Sequence, residues 1–154
     1  MSSQRTDNSC FAEKIALRVH NLPPGPVRVL DAFHGHGAIW REISKIEPQI
    51  DSVVGIEKEN GKGRGSIYGD NMKLLPRMDL SGFNVIDLDA YGCPYEQINA
   101  VLRNGTLMKG TVVFFTFIRT AKGSVDRRLL EKAGFSTAMI KKIPTIFNKY
   151  AEQA

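Results

Sequence analysis

The stretch that decides the fold is VRVLDAFHGHG, residues 27–37. A short apolar run ends at Asp31 and leads into a turn that contains Gly35 and Gly37, and a helical pattern follows over 38–46. Glycines in such a turn let the backbone bend tightly and come close to a ligand. The stretch therefore predicts a strand, a glycine-rich turn and a helix, which together form the first unit of an open α/β sheet.

The same alternation of strands and helices continues along the chain. It predicts a parallel sheet with helices on both faces, so we expect a three-layer, doubly wound α/β domain over residues 1–154 with strand order 3-2-1-4-5. Residues 1–9 are expected to be disordered. The remaining predicted strands cover 53–57, 65–69, 84–89 and 111–118, and the remaining predicted helices cover 10–20, a turn after Asp70, 94–103, 125–133 and 137–152.

Composition excludes several classes of protein. The chain has 154 residues, of which 42% are hydrophobic and 24% charged, as expected for a globular domain. No apolar run approaches the ~18 residues of a membrane span, and the polar N-terminus lacks the apolar region of a secretion signal. Cys10 and Cys93 are too few for a disulfide framework or a four-ligand zinc site. We therefore expect a cytoplasmic protein without a metal.

Positive charge is concentrated near the C-terminus. The net charge is +5, and residues 119–149 contain eight basic and two acidic side chains. Such a basic sector favours a polyanionic partner, with RNA ahead of DNA, although a solvated helical face would look the same. A partner protein or a homodimer also stays possible.

An acidic residue follows the second predicted strand. Glu57 lies twenty residues after Gly37, at a spacing that lets a carboxylate reach ribose hydroxyls. Trp40 occupies the place of the third glycine of the dinucleotide pattern, where a bulky side chain opposes close helix–strand packing. A nucleoside without a pyrophosphate is therefore favoured over NAD, and an NAD-linked oxidoreductase is kept as an alternative.

The segment DLDAYGCP, residues 87–94, is the candidate catalytic loop. Asp87 and Asp89 share one face of a strand, and two carboxylates so close together cost free energy unless something uses or pairs them. Tyr91 offers an aromatic face to a flat base. An alternative role for Asp89 is to cap the helix that follows, and Cys93 is a further, nucleophilic candidate.

Together with VVGIEKE at 53–59 and YGD at 68–70, these motifs resemble the class I S-adenosylmethionine (SAM) methyltransferases over residues 27–118. The resemblance implies that SAM is the cofactor, with its methionine part in the first loop, its ribose on Glu57 and its adenine amino group on Asp70. The terminal hairpin of that family is expected to be missing. The residues assigned to the cofactor are Asp31, Phe33, Gly35, Gly37, Glu57, Asp70 and Asp87.

The loop from Asp89 to Pro94 is similar to that of amino-group methyltransferases, most of all the tRNA guanine-N2 dimethyltransferases. The resemblance implies catalytic roles for Asp89, Tyr91 and Pro94, with Asp89 orienting an exocyclic amino group. Ala90 stands where that family has proline, and Cys93 where it has serine. The expected function is SAM-dependent N-methylation of a nucleobase in RNA or DNA. The alternative is a non-catalytic module with the same fold that helps a partner bind nucleic acid.

Overall fold

Five parallel strands form one sheet. The computed structural model describes residues 10–59, 65–92, 94–116 and 136–138. The strands are β1 (Val27–Asp31), β2 (Ile50–Glu57), β3 (Ile67–Tyr68), β4 (Val85–Leu88) and β5 (Val112–Phe115). They are ordered β3-β2-β1-β4-β5, and every neighbouring pair is parallel. This confirms the predicted α/β class and strand order.

Four helices accompany the strands in the described part of the chain: α1 (Phe11–His20), α2 (Ala38–Ile46), α3 (Asn71–Leu74) and α4 (Tyr95–Leu102). Three of them begin and end within one residue of the predicted bounds. The short α3 begins after Asp70, whose carboxylate accepts a hydrogen bond from the Met72 backbone N–H at 3.0 Å. The prediction of a disordered segment over 1–9, the predicted helix over 125–133 and most of the one over 137–152 lie outside the described residues.

Hydrophobic side chains alternate between the two faces of the sheet, as the two-residue period of a strand requires. Val29 and Val85 pack with Trp40 of α2 on one face, where residues of α1 also contact the cluster. Leu30 and Ile86 pack on the other face, in a cluster that α3 and α4 complete. The predicted helices therefore cover both faces.

The strand order places a crevice at the carboxyl end of β1. In the sheet register, Asp31 pairs with Gly55 of β2 on one side and with Asp87 of β4 on the other. The connection after β1 leads to β2 on one side, whereas the connection after β3 crosses to β4 on the other side. Open α/β sheets bind ligands in the crevice that forms at such a point.

The chain divides into two compact units, Met1–Thr116 and Phe117–Ala154. All the strands and helices named above belong to the first unit, and the single-domain organisation stays a prediction. In the part of the chain that the structure describes, no helix has both the length and the apolar character needed to span a bilayer.

A buried ion pair attaches α1 to the sheet. Arg18 is 2% exposed and donates from Nε and Nη2 to the two carboxylate oxygens of Asp87, at 2.6 and 2.7 Å. Trp40 Nε1 donates to the same carboxylate at 2.7 Å, and the guanidinium lies 5.5 Å from the ring centre of Phe114. Burial raises the pKa of Asp87 to about 6, against the opposing effect of Arg18. Asp87 therefore depends on its donors for stabilisation.

Replacing Arg18 by methionine leaves the Asp87 carboxylate buried with Trp40 as its remaining side-chain donor. We expect Arg18→Met to lower the free energy of unfolding by about 3–5 kcal/mol, measured by urea denaturation. The double variant Arg18→Met/Asp87→Asn should lose less than Arg18→Met alone, because no charge is then left buried. Lys45→Met is the control, since it removes an exposed pair with Glu42 and should cost less than about 1 kcal/mol. Equal losses in Arg18→Met and Lys45→Met would contradict this role of the pair.

Candidate functional site

A cavity of about 680 Å³ opens at the carboxyl ends of the strands, a size typical of small-molecule sites. It is bounded by the turn after β1, the end of β2, the start of α3, and the loop after β4. Six of the predicted site residues line it, namely Phe33, Gly35, Glu57, Asp70, Asp89 and Tyr91. Four predicted residues, all described by the structure, lie outside the lining: Asp31, Gly37, Asp87 and Pro94.

Two carboxylates hold the first turn in place. One oxygen of Asp31 accepts the Phe33 backbone N–H at 3.2 Å, and the other is hydrogen-bonded to Nδ1 of His34 at 3.1 Å. Across the turn, Glu57 Oε2 accepts the Gly35 backbone N–H at 2.8 Å. Asp31 thus organises the turn from beneath, while Glu57 links it to the end of β2.

The His34 ring fills a slot that only glycines leave open. A Cβ at Gly37 would lie 2.6 Å from ring atoms of His34, and a Cβ at Gly55 would overlap the ring. Gly37 also has a φ of +64°, which a larger residue adopts at a cost. The hydrogen bond with Asp31 raises the pKa of His34, against the effect of its partial burial. His34 is therefore a structural part of the turn.

Glu57 has capacity left for a ligand. Its Oε2 accepts from Gly35 and its Oε1 accepts the Glu59 backbone N–H, each at 2.8 Å. A carboxylate offers about four acceptor positions, so each oxygen retains one. Because Glu57 also lines the cavity, these remaining positions suit a hydroxyl donor such as a ribose.

A chain of side-chain amides crosses from α4 to the first turn. Gln97 Nε2 donates to Asn71 Oδ1 at 3.3 Å, and Asn71 Nδ2 donates to the Ala32 carbonyl at 2.8 Å. Both amide side chains line the cavity next to Asp70. Sequence reasoning missed Asn71 and Gln97, because isolated polar residues on helices give no pattern that distinguishes them from solvated ones.

Asp89 lies at the boundary between the cavity and α1. Its side chain is 13% exposed, and the Lys14 ammonium lies 2.8 Å from Oδ1 and 2.9 Å from Oδ2. Thr116 Oγ1 donates to Oδ1, and Arg18 Nη2 lies 3.9 Å from Oδ2. The N-terminus of α4 has Pro94 at its cap position and no side-chain cap. The alternative role of Asp89 as a helix cap is therefore wrong.

Tyr91 projects at the rim of the cavity with 89% of its surface exposed. It is followed by Gly92, whose φ of +123° favours glycine. Cys93 lies outside the described residues. Asp87, two residues before Asp89, is buried under Arg18 and Trp40, so it supports the sheet from the face that α1 and α2 cover.

The lining of the cavity is acidic. Among the described residues, it contains the carboxylates of Glu57, Glu59, Asp70 and Asp89 and the ammonium of Lys58, which lies 3.7 Å from Asp70 Oδ2. Such a lining favours a cationic ligand and opposes a pyrophosphate. In the same part of the chain, no three His, Cys, Asp or Glu side chains are grouped closely enough to hold a metal ion.

The slot for His34 gives a direct test of the turn. Gly55→Ala places a Cβ against the His34 ring, which must then leave its bond with Asp31, so we expect a loss of about 1–3 kcal/mol in the free energy of unfolding. Adding His34→Ala to Gly55→Ala should recover part of that loss, because the space is then free. Gly82→Ala is the control, since nothing lies within 4 Å of its Cβ position. A Gly55→Ala protein as stable as Gly82→Ala would show that the slot is not tight.

Comparisons with known proteins give no match: no protein-family model and no curated protein sequence is significantly similar to this chain. The assignment of a function therefore depends on the geometry of the cavity and on the chemistry of its side chains.

Proposed function

We propose that this protein is a SAM-dependent methyltransferase that methylates an exocyclic amino group of a nucleobase. The observation that carries the proposal is the acidic cavity at the carboxyl ends of the strands. It brings together the glycine turn, Glu57, Asp70, Asp89 and Tyr91, which come from four separate segments of the sequence.

Charge supports SAM over a dinucleotide. SAM has a sulfonium, an ammonium and one carboxylate, so its net charge is about +1, whereas NAD carries two negative phosphates. A pyrophosphate beside Glu57 and Asp70 would be repelled, because a partly enclosed site strengthens like-charge interactions. The NAD-linked oxidoreductase is therefore the weaker reading.

The side chains that line the cavity offer groups that suit the parts of SAM. Glu57 offers two acceptor positions for ribose hydroxyls. Asp70 uses Oδ1 to cap α3, which leaves acceptor capacity on Oδ2 for the adenine amino group. Phe33 and the backbone around Gly35 line the part of the cavity that would take the methionine portion. When bound, SAM supplies an activated methyl group on a sulfonium.

Asp89 performs the central step in the proposed reaction. The lone pair of an exocyclic base nitrogen is delocalised into the ring, so that nitrogen is a weak nucleophile. When the Asp89 carboxylate accepts a hydrogen bond from one N–H group of this amine, the nitrogen becomes more tetrahedral and its lone pair is freed for attack on the methyl carbon. The methyl group that SAM supplies would pass to this nitrogen, S-adenosylhomocysteine would be the leaving group, and Asp89 or water would take the proton that the amine loses.

Tyr91 gives the target base a flat surface at the rim of the cavity. Its ring is almost fully exposed, and stacking of a base on an aromatic ring is worth about 1–3 kcal/mol. A base inside a duplex has to be flipped out of the stack to reach Asp89. Residues 119–149 lie outside the described part of the chain except for 136–138, and their predicted contact with nucleic acid is part of the proposal.

A second candidate is a module that binds SAM and nucleic acid without transferring the methyl group. The observation that favours it is the engagement of Asp89 by Lys14 and Thr116, which occupies much of its acceptor capacity. Ala90, which stands where the tRNA guanine-N2 dimethyltransferases have proline, also favours this candidate. Binding of SAM without methyl transfer would select this candidate.

Calorimetric titration with SAM and its demethylated product S-adenosylhomocysteine tests the cofactor. We expect Glu57→Ala to weaken SAM binding by about 1–3 kcal/mol, because the ribose hydroxyls and Gly35 lose their acceptor. Glu57→Gln keeps one acceptor oxygen and should lose less. Asp51→Ala, on the exposed opposite end of β2, should bind like the wild type. If the wild type binds neither compound, or if Glu57→Ala binds SAM unchanged, the placement of the cofactor fails.

Transfer of a radiolabelled methyl group from SAM to RNA, DNA and nucleotides tests the reaction. Asp89→Ala should keep its affinity for SAM and lose about 10²–10³-fold in rate, the usual cost of removing one transition-state hydrogen-bond partner. Asp89→Asn retains an acceptor oxygen, so its rate should lie between those of the wild type and Asp89→Ala. Loss of SAM binding in Asp89→Ala would mean that Asp89 is structural, and the assignment of the loop would then be wrong.

A further inference from the structure

Helix α1 makes two consecutive ion pairs, one with β4 and one with the loop that follows it. Lys14 and Arg18 are one helical turn apart, and their partners Asp89 and Asp87 are two residues apart in the sequence. The two pairs therefore form a ladder along α1, in which Arg18 is paired with the end of β4 and Lys14 with the loop that follows it.

The two rungs of this ladder differ in burial. The side chains of Arg18 and Asp87 are 2% and 1% exposed, while those of Lys14 and Asp89 are 23% and 13% exposed. Asp87 is shielded from the cavity, whereas Asp89 lines it. The buried Arg18–Asp87 pair thus attaches α1 to the sheet, and the more exposed Lys14–Asp89 pair lies at the candidate site.

Lys14 contacts Asp89 without entering the cavity. Its ammonium lies within 2.9 Å of both carboxylate oxygens, yet Lys14 is not among the lining residues. Thr116 donates to Oδ1 from β5's end, so the carboxylate is held on two sides. With about four acceptor positions on a carboxylate, these contacts leave capacity mainly on Oδ2.

We propose that Lys14 is a positioning residue for Asp89. It fixes the plane of the carboxylate so that the remaining acceptor position meets the N–H of the target amino group, and Arg18 fixes Lys14 in turn by donating to its backbone carbonyl at 3.0 Å. This proposal rests on the proposed methyl transfer. It makes the N-terminal helix part of the catalytic apparatus, although no atom of that helix has to touch the substrate.

The test compares Lys14→Met, Lys14→Arg and Lys45→Met in steady-state methyl transfer. Lys14→Met should lower kcat by about 10²-fold, the effect of a catalytic group displaced by about 1 Å, with the KM and Kd for SAM within about twofold of the wild type. Lys14→Arg keeps the charge and the donors and should recover most of kcat. Lys45→Met removes an exposed lysine of α2 and should match the wild type. A Lys14→Met enzyme with the kcat of Lys45→Met overturns the proposal.

A second measurement separates this proposal from the proposed function. The Ala90 backbone N–H donates to the Leu88 carbonyl at 2.8 Å, next to Asp89, and its hydrogen exchange can be followed by NMR without any substrate. If Lys14 holds Asp89, exchange at Ala90 should accelerate about 10-fold or more in Lys14→Met while core amides of β1 stay protected. An inactive wild type refutes the methyl-transfer function alone. Unchanged exchange at Ala90 in Lys14→Met refutes the positioning role, whether or not the wild type is active.

Discussion

The candidate site depends on one buried ion pair, between Arg18 and Asp87. A carboxylate taken out of water is costly unless donors surround it, and here Arg18 and Trp40 supply three hydrogen bonds from two different helices. The sheet register places Asp87 opposite Asp31 of β1 and Phe114 of β5. The pair thus fixes α1 and α2 relative to the strands whose ends build the crevice. Asp89 follows two residues later, and its carboxylate lies 3.9 Å from the same guanidinium.

The first turn adds a second constraint that does not depend on the ion pair. His34 occupies the space that the missing Cβ atoms of Gly37 and Gly55 leave, and its bond to Asp31 keeps the ring there. Glu57 then ties the turn to β2 through the Gly35 N–H. The glycines are therefore needed for the packing of a neighbouring histidine as well as for close approach to a ligand. This explains how the turn accommodates the ring of a histidine.

Local patterns predicted the elements of this fold well, because strand and helix periodicity is encoded within a few residues. The family resemblance assigned Asp87 to the cofactor, whereas the structure buries it under Arg18. The two-residue period of a strand predicts one shared face for Asp87 and Asp89, but β4 ends at Leu88, so Asp89 lies in the loop that follows. The free-energy cost of placing the carboxylates of Asp87 and Asp89 close together correctly indicated that cationic or hydrogen-bonding partners were needed. It did not identify Lys14 and Arg18, which lie 75 and 69 residues away in sequence and read as ordinary polar positions of a surface helix.

The acidic cavity also bears on how the proposed site would treat a polyanion. A nucleobase is uncharged, whereas each phosphate of a nucleic-acid strand carries a negative charge. Carboxylates around the cavity would therefore repel the phosphate backbone but not the base. The exposed Tyr91 ring at the rim offers contact to a base that has already left its stack. Favourable contact with phosphates then has to come from a different surface, and residues 119–149 have the composition for it. On this proposal, the basic residues 119–149 provide affinity for the nucleic-acid strand. The acidic cavity provides selectivity for a neutral base with an amino group.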